Sequence, residues 1–504
     1  MLHETIRKYR ISGICKTYNL TKGGIMSIDN IKNIADLFIR AKEKWSDKTA
    51  YIYKDKTITF GQLYDHIRVH MTVLLEEGFS KGQKAALVCG NCYEWIVNYF
   101  AVISMGGIIV PFDSELGAET INALACKYGI THIICQSNLK DRYDDSHVVI
   151  LVTDELSEKR KNAHPADIVK TDEDSICQIT FTSGTTGNNK AVPLTQNNLI
   201  DDIISVGHCV DYGENERALI ILPMYHLLAI TASILFVMYR GGLLFICASK
   251  KTFMRDLMMY QPQWMACVPS IAESLYKVII SGGEKYLPVL SGINLVCGGA
   301  ELPVKLDKFL NDAGFTIYNG YGITECSPII SVRDKASKKY GCVGRSLDCC
   351  QVMIVSPDEN GDGEILIKGS NVFSGYLDDA DNEGAFSEGW FCTGDIGRLD
   401  SDGELYISGR IKNLIILDNG KNVASEELER LIAESDAVTE NIVYASEGMI
   451  TAEIYSETEQ TEEAERFIEQ LNAKLPVYKR IRKVVFTDKP FEKTATMKIK
   501  RRKK

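Results

Sequence analysis

Regular apolar spacing begins at Ile31, Ala35, Leu37 and Phe38, a helical period, and before that point the chain shows no comparable pattern. From Asp36 to about Asp172 helical stretches alternate with short apolar runs at 85–88, 108–110, 132–134 and 148–152. That rhythm predicts stacked βα units on a mainly parallel sheet. It resumes from Ile176 to about Ile330, with runs at 219–222, 243–246 and 293–296. Between Gly341 and Ser408 the pattern changes to short strands broken by Gly and Asp turns, such as Asp358-Glu359-Asn360-Gly361 and Asp400-Ser401-Asp402-Gly403. This predicts a small β-rich subdomain. Beyond Arg410 follows an α+β segment of roughly 90 residues, large enough to fold as a mobile module. The predicted fold class is therefore α/β: a large N-terminal domain of βα-rich subdomains with a small β-rich one, then a small α+β C-terminal domain. The expected division is 26–410 and 411–504.

The stretch 95–112 carries no charge and raises the question of a membrane span. Asn98, Ser104, Gly106, Gly107 and Pro111 favour a buried helix that stops at the glycines and hands over to a buried strand. Residues 1–25 stand apart. Lys22-Gly23-Gly24-Ile25-Met26 is what a purine-rich ribosome-binding site followed by a start codon encodes when read in frame. Met26 is thus the expected biological start, and residues 1–25 a non-functional extension.

At 504 residues the chain exceeds one ordinary core. A net charge of -10 argues against a protein that coats nucleic acid. The terminal run 498–504 is basic, which reads as a solvated tail with weak peripheral contact to anionic lipid as the lesser reading. The 15 cysteines are scattered through apolar runs and form no disulfide framework. Cys89-Gly90-Asn91-Cys92 has redox or metal spacing, but no second pair answers it, so a buried thiol pair is expected. A cytoplasmic protein is the corresponding expectation.

The most informative stretch is Thr182-Ser183-Gly184-Thr185-Thr186-Gly187, closed by Lys190. An apolar strand empties here into a loop of hydroxyls, glycines and a lysine. Glycine lets backbone approach closely, and N–H groups, hydroxyls and an ammonium suit a polyphosphate. An ordinary P-loop is excluded, because no Gly-Lys-Ser/Thr opens a helix; Lys190-Ala191-Val192-Pro193 reads as another strand.

This loop resembles the phosphate loop of the adenylate-forming (AMP-binding) superfamily, which includes acyl-CoA synthetases, peptide-synthetase adenylation domains and luciferases. Further motifs follow in that family's order across roughly residues 35 to 501. Asn319-Gly320-Tyr321-Gly322-Ile323-Thr324-Glu325 is similar to its adenine and metal motif. The resemblance implies that Tyr321 stacks on adenine, Thr324 contacts phosphate and Glu325 holds Mg²⁺. Gly298-Gly299-Ala300-Glu301 is similar to the segment lying along the base. Cys392-Thr393-Gly394-Asp395 resembles the ribose motif, with Arg410 as the partner of Asp395, and Lys412 falls at the family's hinge. Gly420-Lys421-Asn422-Val423 is similar to the loop presented for thiolation, although Ser425 stands where many relatives have proline. The stretch from Lys493 to Arg501 resembles the terminal motif and puts the catalytic lysine at Lys498; Met497 and Glu492 replace the usual glycine and proline.

These parts imply an ATP- and Mg²⁺-dependent enzyme that forms an acyl-adenylate and passes the acyl group to a thiol. His226, in Pro223-Met224-Tyr225-His226, sits where the family begins its acyl pocket and is expected beside the route to the thiol. The residues after it, Leu227, Leu228, Ala229 and Ile230, offer no carboxylate to a substrate ammonium, which disfavours amino acids. The segment 409–423 most resembles long-chain fatty-acid–CoA ligases. The expected function is a medium- or long-chain acyl-CoA synthetase using CoA as co-substrate, with a phosphopantetheine-bearing acyl carrier protein as the alternative acceptor.

Overall fold

The computed structural model describes residues 31–143, 147–182, 190–282, 285–417, 422–446, 448–457, 460–493, 499 and 501. The expected extension 1–25 lies outside them, as do Ser183, Gly184, Thr185, Thr186, Gly187, Gly420, Lys421 and Lys498.

Two large sheets organise the N-terminal part. The first has six strands in the order Val149–Val152, His132–Cys135, Lys84–Val88, Ile108–Pro111, Ile176–Thr182 and Lys190–Thr195. All neighbours pair in parallel except the last two, which form an antiparallel ribbon with Thr182 opposite Lys190. The second has nine strands. Its centre is the parallel set Thr316–Gly322, Asn294–Cys297, Trp264–Cys267, Arg217–Ile220 and Leu243–Ile246. Parallel sheets of this kind are buried on both faces, so their strands are near-continuous apolar runs. Leu219, Ile220, Leu295 and Cys297 are indeed buried.

Because those central strands run parallel, their carboxyl ends share one edge, where open α/β sheets bind ligands. There the chain leaves the sheet toward His226 and at Gly298, and the strand Thr316–Gly322 carries Tyr321 just past its last parallel partner, Asn319. The six-stranded sheet turns its own carboxyl edge toward the same place. Asn91, three residues past the strand ending at Val88, donates from Nδ2 to the Leu222 carbonyl at 3.0 Å and accepts from the Met224 amide at 2.9 Å. Tyr225 donates to Asp113 Oδ2 at 2.8 Å. The spacing of Cys89 and Cys92 therefore frames Asn91. Both thiols are buried and free, and burial pushes them up from their ordinary range.

The uncharged stretch becomes the buried helix Tyr93–Ser104, the left-handed turn at Gly106 and the strand Ile108–Pro111. Among the described residues no helix is long and apolar enough to cross a membrane. The Gly- and Asp-rich region forms an antiparallel sheet of five strands, including Gly363–Gly369, Trp390–Leu399 and Leu405–Arg410. A separate apolar cluster, with Val423, Leu428, Val443, Ile454 and Ile468 at its centre, forms the core of the small C-terminal domain. That domain pairs a three-stranded sheet with the helices Ser425–Ile432 and Thr461–Lys474. The helix Ser425–Ile432 buries Leu428 and Ile432 and leads with Glu426 and Glu427 in its first turn, where carboxylates offset the exposed backbone amides.

Candidate active site

The strand Thr316–Gly322 carries the first four residues of the expected adenine motif, Asn319 to Gly322. Its glycines are required by its neighbours. A Cβ on Gly322 would lie 1.9 Å from the Pro328 carbonyl oxygen, and one on Gly320 would lie 3.0 Å from the Ser331 oxygen. Backbone at that distance cannot yield as a side chain can. Asn319 is buried and donates to the Cys342 carbonyl at 2.9 Å, so it fastens the strand. Tyr321 projects between these anchors.

Tyr321 donates its hydroxyl to Asp395 Oδ2 at 2.6 Å, and Arg410 Nε meets Asp395 Oδ1 at 2.8 Å. Asp395 and Arg410 are opposite each other on adjacent antiparallel strands. Asp395 is buried, and its own amide donates to Thr393 Oγ1 at 3.0 Å. Burial, reinforced by the Asp395 charge, pushes the Tyr321 phenol well above its ordinary range, which keeps it a donor. Two residues from distant stretches, Tyr321 and Arg410, thus converge on one carboxylate.

Thr324, Glu325 and Cys326 form a single 3₁₀ turn after that strand. It is framed by buried polar groups: Asn371 Nδ2 donates to the carbonyls of Cys326 at 3.1 Å and Ile329 at 2.9 Å, and Ser327 Oγ donates to the Asn371 carbonyl at 2.8 Å. Asp202 accepts from the Ile329 amide at 3.1 Å, and burial holds its carboxyl well above the usual carboxylate range. Glu325 Oε1 accepts from the hydroxyl of Tyr376 at 2.7 Å. Lys190, at the far end of the phosphate-loop ribbon, places Nζ 4.3 Å from the centre of the same Tyr376 ring and 3.6 Å from Asp381 Oδ1.

In the segment expected to lie along the base, Gly299 has φ +81°, a left-handed conformation that favours glycine. A Cβ on Gly298 would sit 3.5 Å from the Gly320 oxygen and 3.8 Å from Leu228 Cδ2. Leu228, Gly298 and Gly320 therefore meet at one point. Ala300 and Glu301 follow, and Glu301 Oε1 accepts from Arg430 of the small domain at 3.3 Å. His226 opens the short helix Leu227–Ala229, its carbonyl accepting from the Ala229 and Ile230 amides at 2.9 and 3.1 Å. Its ring packs on Tyr225, centroids 4.5 Å apart. The helix passes at once into a π-helical segment, Ile230–Leu235, a wide turn frequent at functional sites.

Lys412 lies in a 3₁₀ turn directly after the strand bearing Arg410. Asn422 opens the strand Asn422–Ala424. Ser425 is buried, and its hydroxyl accepts from Arg501 Nη1 at 3.0 Å; Arg501 also pairs with Glu429. The terminal motif is thereby tied to the helix Ser425–Ile432. Of the expected site residues described, Tyr321, Asp395 and Arg410 form one cluster, and Glu325 and Lys190 share Tyr376. Tyr376, Asp381, Asn371, Asp202 and Asp113 have no part in the sequence reading, and Asn91 enters it only as spacing between Cys89 and Cys92; each has a partner far off in the chain.

No group of three or more His, Cys, Asp or Glu placed to hold a metal occurs among the described residues. Glu325 is a single carboxylate at a turn. That donor set fits Mg²⁺, which keeps several waters and is commonly held by one or two carboxylates together with substrate phosphates.

The profile of the family described as AMP-binding enzyme matches residues 38–377. A long-chain-fatty-acid–CoA ligase of Mycobacterium bovis is 26% identical, with 88% of this chain and 90% of that protein covered. A 2-succinylbenzoate–CoA ligase of Bacillus velezensis is 28% identical over 80% of this chain and 82% of its own. The solved structure of o-succinylbenzoate coenzyme A synthetase from Bacillus subtilis in complex with AMP superposes with a TM-score of 0.82 at 25% identity, covering 92% of this chain and 97% of that one.

Proposed function

The chain belongs to the AMP-binding enzyme family, and on that premise we propose that it is an AMP-forming acid–CoA ligase acting on a medium- or long-chain fatty acid. The observation that carries the reading is the convergence of Tyr321 and Arg410 on the two oxygens of the buried Asp395, at 2.6 and 2.8 Å. A buried carboxylate with an aromatic face beside it is chemistry for a ribose diol and a base.

In this reading a fatty carboxylate oxygen attacks the α-phosphorus of ATP and pyrophosphate leaves, so an anion must approach an anion. Thr182 and Lys190, with the loop 183–187 between them, bind the leaving phosphates, and Thr324 hydrogen-bonds one of them. Mg²⁺ held at Glu325 would supply charge neutralisation on those phosphates. Asn319, Gly320 and Gly322 hold the strand under the base, and Gly299, Ala300 and Glu301 line it. Lys498 steadies the charge that builds on the bridging oxygen.

The thiol of CoA then attacks the acyl carbonyl, and AMP leaves with the bonding pair. For this step the C-terminal domain, residues 411–504, turns about Lys412, withdrawing Lys498 and bringing Gly420, Lys421 and Asn422 to the thiol route beside His226. Two contacts between the domains, Glu301–Arg430 and Lys305–Asp436, are exposed ion pairs. Such pairs are worth about 0–1 kcal/mol each, little resistance to a turn.

Support for an apolar acid comes from Leu228, which meets Gly298, and from the absence of a carboxylate in the segment Leu227 to Ile230. The names of the relatives, which act on fatty and aromatic acids alike, make chain length the point to test. Thioester formation should be measured by mass spectrometry with octanoate, palmitate, succinylbenzoate and oxalate, each offered CoA and a phosphopantetheinylated acyl carrier protein. The reading expects acyl-CoA from the two fatty acids. Thioester on the carrier protein alone would reassign the acceptor, and thioester from succinylbenzoate or oxalate alone would overturn the fatty-acid assignment.

A further inference from the structure

Tyr376 belongs to none of the motifs, yet it stands between the two groups the reaction must coordinate. It lies on a strap, residues 373–377, pinned at both ends to the two halves of the site. The Phe373 amide donates to the Glu325 carbonyl at 2.9 Å, and the Leu377 amide donates to the Ala191 carbonyl, next to Lys190, at 3.1 Å. Between those pins Asn382 clasps the backbone of Tyr376 from both sides, accepting from its amide at 2.8 Å and donating to its carbonyl at 2.9 Å. Gly375, at φ +138°, leaves the room that clasp needs, since a Cβ there would lie 2.9 Å from Asn382 Oδ1. The ring packs edge-on against the buried Phe373, with centroids 4.8 Å apart. A side chain held in this way has little freedom left to lose.

The hydroxyl and the face of this one ring then point to different partners. Oη donates to Glu325 Oε1 at 2.7 Å, and the Lys190 ammonium sits 4.3 Å from the ring centre, within cation–π range, with Asp381 on its other side.

We propose that Tyr376 is a positioning residue for adenylation: its hydroxyl fixes the Glu325 carboxylate for the divalent cation of the ATP complex, and its ring holds the Lys190 ammonium at the phosphates. This rests on the adenylation reading of the same site. One rigid ring thereby sets the cation's carboxylate and the phosphate-binding lysine in a fixed relation, although they come from different sheets. The hydroxyl leaves the second carboxylate oxygen of Glu325 for the metal. The ring, being neutral, adds no counter-charge to Lys190 beyond that of Asp381.

The test separates hydroxyl from ring. Tyr376→Phe keeps the ring and removes the hydrogen bond; Tyr376→Leu removes both. Mn²⁺ is titrated into protein with saturating ATP and no acid, and free Mn²⁺ is read by electron paramagnetic resonance; AMP affinity is measured without metal. Y376F is expected to weaken Mn²⁺ binding roughly tenfold, the scale of one lost hydrogen bond to a charged group, with AMP affinity unchanged. Y376L is expected to weaken ATP affinity further at saturating Mn²⁺. Mn²⁺ affinity in Y376F equal to that of the parent protein overturns the positioning role and leaves the adenylation reading standing. Equal losses of Mn²⁺ and AMP binding in Y376F also overturn it, since a general disturbance of the fold would then explain both. Failure of the parent protein to bind Mn²⁺ with ATP at all overturns the adenylation reading as well.

Discussion

Tyr321 and Arg410 grip the two oxygens of the same buried carboxylate, Asp395, from opposite sides, at 2.6 and 2.8 Å. The carboxylate is therefore already oriented, which is what the ribose site proposed for it requires. Asp395→Asn is expected to lower AMP affinity roughly 10–100-fold, the loss of charge-assisted hydrogen bonds. Tyr321→Phe keeps the aromatic face and is expected to lose about tenfold or less. Calorimetry with AMP measures both, and a larger loss in Tyr321→Phe than in Asp395→Asn would contradict the arrangement.

Gly322 has no room for a side chain. Its Cβ would stand 1.9 Å from the Pro328 oxygen and 2.8 Å from the Pro328 carbonyl carbon. Gly322→Ala must shift either the strand Thr316–Gly322 or the turn bearing Glu325. It should destabilise the protein by about 2–3 kcal/mol and lower nucleotide affinity with it, as urea denaturation and AMP binding would report.

Glu429 gives the C-terminal domain a pH dependence. Burial raises its carboxyl from 4.5 to about 7, against the opposing pull of Arg501. The folded state then holds the proton more tightly than the unfolded chain does. Its stabilising contribution is complete below about 4.5 and is lost as pH rises through about 7. Glu429→Gln, neutral at every pH, should flatten that slope. Denaturant midpoints of both proteins at about pH 5 and about pH 8 check it; parallel pH dependence in the two would contradict the assignment.

Leu228 tests the acyl wall. It is half-buried and meets Gly298, next to the segment proposed to line the base. Leu228→Trp should fill that space and disfavour long chains. The ratio of kcat/KM for palmitate over octanoate is expected to fall at least about tenfold, the scale set by small volume changes in apolar pockets. An unchanged ratio would place the acid elsewhere.

Much of this architecture is legible in the sequence, and each failure has a physical cause. The runs at 108–110, 132–134 and 243–246 fall within observed strands because buried parallel strands are continuous apolar segments. The run at 219–222 sits two residues late against Arg217–Ile220, since the apolar residues continue past the last ladder bond. The hairpin of Thr49–Tyr53 and Lys56–Thr59 and the strand Trp264–Cys267 have no counterpart in the sequence reading. The first is largely polar on one face. At the site, motifs that are continuous in sequence are readable, because each carries its chemistry within a few residues. Tyr376, 51 residues from Glu325, and Asn91, 133 from Met224, act through single side chains that only the fold brings together. Ser425 is a different case. It breaks the family's pattern in the sequence, and in the structure its hydroxyl takes a hydrogen bond from Arg501 that proline could not accept.

The most direct test of the account is acid-dependent exchange of labelled pyrophosphate into ATP, run without CoA in the presence of Mg²⁺. Exchange that requires octanoate or palmitate, and that is lost in Asp395→Asn and Lys498→Ala, is the result the account predicts. Absence of exchange with every carboxylic acid, from protein that binds AMP, would contradict acyl-adenylate formation as its function.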